Sequence, residues 1–434
     1  MVHRVTSCSA SSTTARDALQ MKNNSASLAG CMPRSSTPGV MDRLASFVFN
    51  CATASLSVGR ECRNENVSSP KTSKMMKKWS IFALAAVLMI AAITPHARAA
   101  DKLKVGFVYL GPVGDLGWTF QHDAGRKNMM AALGDRVETT YLENVPESAD
   151  AERALEKLVR SDHQLIFATS FGYMDQTLRV AEKYPSVHFE HATGYKRAAN
   201  VSTYDARWYE GDYLQGVIAG KLSKSGVLGW IVPFPIPLVI TGINASILGA
   251  QTVNPNIKLK IIWVNTWFDP PKEADAAKVL ADQGVDVLMT YTDSPAVMQT
   301  AEQRGIHAFG RSSDMIKFGP HAQLSATVNN WGPYYTKRAE DELAGTWKSE
   351  ATWAGLDSNV IVMAPYTNMP DDAKKLASDT EAAIKAGTLH PFKCPLADQD
   401  GNNVECKGGN HLDDLQIRSM NFYVKGIDDK IPGK

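Results

Sequence analysis

Residues 104–110, with the sequence KVGFVYL, decide the fold class, because this run is almost entirely apolar and is followed by a helical pattern over residues 119–133. The same order repeats, with a strand predicted over 137–142, a helix over 149–160 and an apolar strand over 165–168. Unbroken apolar strands separated by amphipathic helices are typical of parallel sheets that are buried on both faces. The sequence therefore predicts an α/β fold.

The alternation starts again in the second half of the chain. After a helix predicted over 207–222, four strands alternate with helices before residue 311. Two successive β/α halves predict two lobes, each a doubly wound parallel sheet, with a ligand cleft between them. The first lobe is expected to comprise 101–206 with the return of part of 331–390, and the second lobe 207–330. Residues 391–434 are expected to form a C-terminal segment.

The first hundred residues have the character of an export signal behind an extension. Two lysines at 77 and 78 precede 13 residues, 81–93, that are apolar or small, and Ala97-Arg98-Ala99 resembles a cleavage site. A helix of that length spans about 20 Å, short of the roughly 30 Å hydrocarbon core, so a cleaved signal peptide over 76–100 is favoured over a membrane anchor. Residues 1–75 are interpreted as a mis-called start or non-structural extension, with a disordered domain as the alternative.

The net charge of +1 hides a strong asymmetry between the two parts of the chain. Of 46 Lys and Arg and 45 Asp and Glu residues, the first hundred positions hold 12 and 4, so residues 101–434 carry a net charge of −7. A domain of this charge has no general attraction for phosphate backbones, which argues against nucleic acid as a partner. We expect a periplasmic protein without a lipid-anchoring cysteine at the cleavage point.

Cysteines are concentrated in the N-terminal extension, which holds four of the six. The remaining pair, Cys394 and Cys406, flanks a stretch rich in Gly, Asp and Asn. In an oxidising compartment this pattern predicts one disulfide that closes a hairpin. A metal site with His390 and His411 is the alternative, but no regular zinc spacing supports it.

Residues 101–434 contain no nucleotide-binding, zinc-protease or nucleophile-elbow motif. The histidines are scattered, and no general acid and base pair can be assembled from them. The sequence therefore favours a protein that is not an enzyme, with no cofactor and no metal.

Aromatic and acidic residues follow the ends of the predicted strands, where ligands bind in open α/β sheets. Flat aromatic faces and carboxylate acceptors suit a planar heterocycle that carries N–H groups. An Asp after a strand is often simply a helix N-cap, whereas a Trp in a short loop is harder to explain that way. The candidate ligand residues are Asp115, Trp118, Phe171, Trp267, Asp293 and Asp314.

Several stretches resemble the basic-membrane-protein family of solute receptors for ATP-binding-cassette importers, which includes purine nucleoside receptors. They are GDLGW at 114–118, FG at 171–172, EGDYLQGVIAG at 210–220, GAQTVNP at 249–255, WFDP at 267–270 and the segment from Val360 to Pro365. The resemblance covers about 102–390. It implies a two-lobed periplasmic-binding-protein fold of type I and a ligand held between aromatic rings in the cleft.

The resemblance also implies roles for particular residues. Trp118 falls where the family commonly has a stacking Phe, and Phe171 or Trp267 would supply the second face. The second-lobe Phe of nucleoside receptors would fall within 240–242, where it is missing, and a ribose-binding basic residue would fall near Asn330. These departures favour a purine base such as adenine over a nucleoside.

From these observations we expect a monomeric receptor that delivers a purine base or nucleoside to an ABC permease in the inner membrane. The alternatives are a ligand-sensing subunit for signalling and a hydrolase that acts on nucleosides.

Overall fold

The computed structural model describes residues 102–114 and 116–433. The predictions made for 1–75, for the signal peptide at 76–100 and for Asp115 lie outside the described residues. Among the helices within these limits, none combines the length and the apolar character needed to cross a membrane.

The first sheet carries the N-terminal part of the described chain. Its strands are β1 (Leu103–Val108), β2 (Val137–Leu142), β3 (Leu165–Ala168), β4 (His188–Ala192), β5 (Val201–Ala206) and β11 (Ala351–Ala354). They are all parallel, in the order β11-β5-β4-β3-β1-β2. Its helices are α1 (Trp118–Leu133), α2 (Ala149–Arg160), α3 (Met174–Lys183) and α8 (Gly332–Leu343). Helices α1 and α8 pack on each other, as do α2 and α3, so the sheet is covered on both faces.

The second sheet repeats this arrangement. Its strands are β6 (Val227–Val232), β7 (Lys258–Trp263), β8 (Val287–Thr290), β9 (His307–Ser312), β10 (Gln323–Asn329) and β12 (Ile361–Met363). The order is β12-β10-β9-β8-β6-β7, and only β12 is antiparallel to its neighbour. Its helices are α4 (Trp208–Leu222), α5 (Pro237–Gln251), α6 (Pro270–Asp282), α7 (Ala296–Arg304) and α9 (Asp371–Lys385). The predicted fold of two doubly wound sheets is confirmed.

Close packing of α4 on α5 explains the glycines of the EGDYLQGVIAG stretch. A Cβ atom on Gly216 would lie 2.0 Å from the carbonyl oxygen of Ser246, and one on Gly220 would lie 2.5 Å from that of Ala250. A Cβ atom on Gly249 of α5 would likewise lie 2.1 Å from the carbonyl oxygen of Tyr213. The most specific motif of the sequence therefore holds two helix backbones together in the second lobe.

Strands β5 and β10 were not anticipated, because they contain several polar residues although both are almost wholly buried. Their polar side chains are satisfied by neighbouring parts of the chain. Ser202 of β5 accepts a hydrogen bond from Arg338 of α8 at 2.9 Å, and Ser325 of β10 donates to the carbonyl of Ala364 at 2.8 Å. Alternation of apolar and polar residues is lost when both faces of a strand are covered in this way.

The C-terminal segment lies on α5. It contains β13 (Leu396–Ala397), β14 (Asn403–Val404) and the short helix α10 (Asp414–Arg418). The amide of Asn244 donates to the carbonyl of Phe422 at 2.8 Å, and the hydroxyl of Thr241 donates to that of Ile417 at 3.0 Å. The Cα atoms of Cys394 and Cys406 are 6.5 Å apart, a separation that a disulfide can span.

Candidate functional site

The two sheets share a strand order that creates a switch point in each. Strands β1 and β3 are neighbours in the first sheet, and β6 and β8 are neighbours in the second, although their connections run to opposite sides. Loops that leave such a pair at its carboxyl end diverge and open a crevice, which is where open α/β folds bind ligands. The loops at these two strand pairs are therefore the expected place of the site.

A cavity lies at these strand ends, and it is called the inner cavity below. It encloses about 450 Å³ of empty space, including its opening to solvent. The first lobe and the second lobe contribute about equally to its wall. The lining residues are Leu110, Trp118, Ser170, Phe171, Thr193, Trp208, Leu238, Trp267, Tyr291, Asp293, Arg311 and Ser312.

Trp118 is the first residue of α1, and contacts within the first lobe fix its side chain. Its indole N–H donates to the carbonyl of Thr169 at 2.6 Å, and its ring meets the imidazole of His122 edge to face at 4.3 Å between centroids. His122 is fully buried, and burial lowers the pKa of its imidazole well below the usual value. A neutral imidazole thus supports one side of Trp118, while the indole also lines the inner cavity.

A buried ion pair fixes the polar corner of the inner cavity. The guanidinium of Arg311, at the end of β9, donates to the carboxylate of Asp212 in α4 at 2.9 Å, and both side chains are almost fully buried. The hydroxyl of Tyr291 donates to the other carboxylate oxygen at 2.6 Å, and the guanidinium lies 3.5 Å from the centroid of the Tyr291 ring. Burial raises the pKa of the Asp212 carboxyl, and the Arg311 charge opposes this rise. Arg311 is therefore presented to the cavity in one orientation.

Gly242 explains why no second-lobe aromatic ring stands near residues 240–242. A Cβ atom on Gly242 would lie 2.4 Å from the hydroxyl oxygen of Tyr291 and 2.6 Å from a carboxylate oxygen of Asp212. The side chains of Tyr291 and Asp212 fill the space that a larger side chain at position 242 would need. The aromatic residues that the second lobe brings to the cavity are Trp267 and Tyr291 instead.

The two lobes touch beside the inner cavity. A Cβ atom on Gly117 of the first lobe would lie 2.0 Å from the carbonyl oxygen of Asp293 of the second. The hydroxyl of Ser313 donates to the carbonyl of Leu116 across the same boundary. The cleft is therefore closed at this edge, and a ligand in the inner cavity would be enclosed by both lobes.

The structure brings together four of the predicted ligand residues, Trp118, Phe171, Trp267 and Asp293, and places two elsewhere. Asp314 is exposed, and its carboxylate accepts hydrogen bonds from the backbone N–H of Ile316 and the amide of Gln323 at 2.7 Å, so it organises its own loop. The amide of Asn330 donates to the carbonyl of Asn359 at 3.0 Å in the passage between the lobes. Neither residue lines the inner cavity.

Sequence reasoning missed Trp208, Tyr291 and Arg311 as cavity residues. Tyr291 follows β8 directly and Arg311 lies at the end of β9, so the rule that selected Asp293 would also have selected them. Trp208 gave no such signal, because it opens α4 where the chain passes from the first sheet to the second. Its indole N–H donates to Asn329 at 2.8 Å, which ties two passages between the lobes together.

No group of three or more His, Cys, Asp or Glu side chains suited to a metal ion occurs between residues 102 and 433, Asp115 aside. The stacked rings of His390 and His411 lie 4.1 Å apart between centroids, but they have no acidic or thiolate partner that would complete such a group. The described lining of the inner cavity consists of aromatic, aliphatic, polar and charged side chains.

Comparison with known proteins identifies the family of this arrangement. Residues 102–389 match the family of PnrA-like ABC transporter substrate-binding proteins. The chain is 59% identical to a purine-binding protein of Brucella abortus (strain 2308) over 336 residues, which cover 77% of this chain and 96% of the relative. It is 34% identical over 333 residues, 76% of this chain and 82% of the relative, to a Haloferax volcanii protein provisionally named an ABC transporter glucose-binding protein.

Solved structures of solute-binding proteins share the fold. One from Aeropyrum pernix K1 has a TM-score of 0.58 at 18% identity and covers 67% of this chain and 93% of its own. One from Conexibacter woesei has a TM-score of 0.54 at 21% identity and covers 66% of this chain and 98% of its own. The fold is thus that of type I periplasmic binding proteins.

Proposed function

The chain belongs to the PnrA-like ABC transporter substrate-binding proteins, and from this premise we propose that it binds a purine base such as adenine in the inner cavity. Membership of this family implies a small-molecule ligand and a permease partner. The observation that carries the proposal is the aromatic wall, to which the first lobe contributes Trp118 and Phe171 and the second contributes Trp267.

The chemistry of the wall suits a flat ring with N–H groups. Stacking on an aromatic side chain is worth about 1–3 kcal/mol per base. Asp293, which is 7% exposed, adds a carboxylate with four acceptor positions, so it can accept a ligand N–H in addition to its present contacts. Arg311 adds a fixed donor for a ring nitrogen or an exocyclic oxygen. The purine-binding relative at 59% identity supports the same ligand class.

A sugar is the second candidate, because aromatic faces flanked by charged groups also suit the C–H faces and hydroxyls of a hexose, and one relative is named for glucose. The two candidates differ in the hydrogen bonds that they require. A hexose presents several hydroxyl groups around its ring, whereas a purine presents two flat faces and a few polar groups at its edge. The relative named for purine binding is 59% identical and the one named for glucose is 34% identical, which favours the purine.

Thermal unfolding with a panel of ligands tests the proposal. Adenine, hypoxanthine, guanine, adenosine and glucose would each be added to the purified chain after any co-purified ligand has been removed by unfolding and refolding. A ligand that binds only the native state raises the melting temperature, and the stabilisation grows with the logarithm of its concentration over Kd. We expect adenine to give the largest rise among unsubstituted bases and sugars. A rise with glucose and none with any purine would contradict the proposal.

Family membership also supports a proposal about where the protein works. We propose that the chain is exported to the periplasm, works there as a monomer without catalytic activity, and passes its ligand to the permease. Fractionation of cells that produce the full chain, with N-terminal sequencing of the exported form, tests the cleavage expected near residue 100.

We also propose that Cys394 and Cys406 form a disulfide after export. The loop between them spans 12 positions, and closing a loop of this size stabilises by about 3 kcal/mol in the chain-entropy model. Thiol titration of the unfolded, unreduced protein from the periplasm is expected to find neither of these thiols free. Two reactive thiols at these positions would contradict the pairing, and replacing both by Ser is expected to lower the melting temperature.

A further inference from the structure

A second, wider cavity adjoins the inner cavity, and it is called the outer compartment below. It encloses about 1240 Å³ including its mouth, against about 450 Å³ for the inner cavity. Phe171, Thr193, Trp208 and Leu238 line both spaces. A ligand whose ring lies in the inner cavity therefore has room for a substituent beyond these four side chains.

The wall of the outer compartment is mostly apolar. Ile236 and Pro237 precede or begin α5, Ile417 comes from α10, and Trp353 comes from the edge strand β11. At the mouth stand Tyr195 and Leu415, which are 67% and 75% exposed, the highest values among the large apolar side chains of the described residues. Such side chains gain most from a partner that covers them.

Seven of the nineteen lining residues are polar or charged, tyrosines not counted, and each of the three charged ones makes a hydrogen bond within the chain. Asp205 is 9% exposed and accepts a hydrogen bond from the backbone N–H of Ala206 at 2.8 Å. Arg418 donates to the carbonyl of Gly194 at 3.3 Å, and its guanidinium lies 5.3 Å from the centroid of the Trp353 ring. A sugar would bury several hydroxyls here against mainly apolar side chains, which costs affinity unless each finds a partner.

We propose that the natural ligand is a purine that carries an apolar substituent, with the ring in the inner cavity and the substituent in the outer compartment. This inference rests on the proposed function and narrows it to a ligand class. Every buried methylene group is worth about 0.8 kcal/mol, which corresponds to about a fourfold gain in affinity. A benzyl group that enters the outer compartment is therefore expected to raise the affinity at least tenfold over that of adenine.

Calorimetric titration with four ligands tests this inference on the full chain. The ligands are adenine, 6-benzylaminopurine, 9-benzyladenine and adenosine, so that both common attachment points are sampled. We expect at least one benzylated purine to bind ten or more times as tightly as adenine, and more tightly than adenosine. If adenine binds and neither benzylated purine binds at least ten times as tightly, this inference is wrong and the proposed function stands. If adenosine binds most tightly, the inference is wrong and so is the proposed preference for a base. If no purine binds, the proposed function fails as well.

A variant in which a side chain fills the outer compartment tests whether the substituent binds there. Ala351 is exposed on β11 and lines the outer compartment only, so Ala351→Trp places a ring in that space. We expect this change to reduce the ratio of benzylated-purine affinity to adenine affinity to about one. Ala382→Trp, at an exposed position of α9 that lines neither cavity, is expected to leave the ratio as in the wild type. An unchanged ratio in Ala351→Trp, and in Ser419→Trp if the first variant does not fold, would overturn the inference.

Discussion

Trp118 has two kinds of contact, and they determine what its removal is expected to do. One edge of the indole is held by Thr169 and His122, whereas the ring also lines the inner cavity. Trp118→Ala removes a stacking face, so we expect purine affinity to fall by about 1–3 kcal/mol, which is about tenfold to hundredfold. Calorimetric titration with adenine measures this loss.

A second Trp→Ala variant distinguishes an effect on ligand binding from an effect on the stability of the fold. Trp263 of β7 is half-buried like Trp118 but lines neither cavity, so Trp263→Ala is expected to leave adenine affinity unchanged. A Trp that serves only the core costs about 3–5 kcal/mol of stability when truncated. If Trp118→Ala lowers the apo melting temperature strongly while folded molecules bind adenine as before, Trp118 is a core residue and not a ligand contact.

Asp205 is expected to make stability depend on pH. Burial raises the pKa of its carboxyl from 3.8 to about 7, against the opposing charges of Arg418 and Arg311. Since the folded state then holds a proton that the unfolded state has released, this group stabilises fully below about pH 4, and the stabilisation is lost as pH rises through about 7. Asp205→Asn has no carboxyl to ionise, so the variant does not lose this stabilisation as pH rises. We expect the free energy of unfolding of the variant, relative to wild type, to rise by about 2 kcal/mol from pH 5 to pH 7.

Urea unfolding at the two pH values measures this difference. Comparing variant with wild type cancels the contributions of other buried groups, such as His191 and His390, whose pKa values are both lowered to about 4 by burial. If the variant and the wild type differ in free energy of unfolding by the same amount at pH 5 and at pH 7, Asp205 is ionised at both pH values and the prediction is wrong.

Part of the site could be predicted from single residues. A loop Trp and a carboxylate after a strand end drew attention to Trp118 and Asp293, and both line the inner cavity. The same rule also selected Asp314, which caps its own loop, because a sequence does not distinguish an Asp that bonds the local backbone from one that faces a ligand. The orientation of Arg311 depends on Asp212, which lies 99 positions away.

At the scale of elements, the contact between α4 and α5 leaves no room for a side chain at Gly216. Gly216→Ala would place a Cβ atom 2.0 Å from the carbonyl oxygen of Ser246, so the two helices have to move apart. Overpacking of this kind costs about 1–3 kcal/mol or more. We expect a lower midpoint of urea unfolding. Gly114→Ala, which has open space around the added atom, serves as the control and is expected to be nearly neutral.

If Gly216→Ala unfolds at the wild-type urea concentration, the helices do not pack as closely as described. The result matters for function, because Asp212 on α4 holds Arg311 and α5 carries Leu238 at the boundary of the two cavities. A variant that shifts the helices is therefore also expected to weaken binding.

Elements were predictable where one physical signal dominated. Helix α2 has strongly apolar and polar faces, and its predicted bounds, 149–160, coincide with the observed ones. Strands β5 and β10 were missed because their buried Ser, Thr, Asp and Gln side chains depend on partners far along the chain, such as Arg338 and Ala364. Such long-range hydrogen bonds leave no local pattern in the sequence.

For the whole molecule, the contact between Gly117 and Asp293 is expected to limit closure of the cleft. Gly117→Ala would place a Cβ atom against the carbonyl group of Asp293 in the other lobe, so the lobes cannot approach to the present distance. Because each lobe keeps its own core, we expect the apo melting temperature to change little while adenine affinity falls at least tenfold. The radius of gyration from X-ray scattering should decrease on adding adenine to wild type but not to the variant.

An equal decrease in both proteins, with equal affinity, would show that this contact does not control closure. Gly114→Ala again provides a control, since it lies in the same loop but faces open space.

The central claim is that a purine ring lies in the inner cavity against Trp118, and a crystal structure of the adenine complex tests it most directly. We predict the adenine plane parallel to the Trp118 indole, a second aromatic face from Phe171 or Trp267, and the carboxylate of Asp293 within hydrogen-bonding distance of a ring or exocyclic N–H. Adenine bound at any other place, or an inner cavity that stays empty at saturating adenine, would contradict the account.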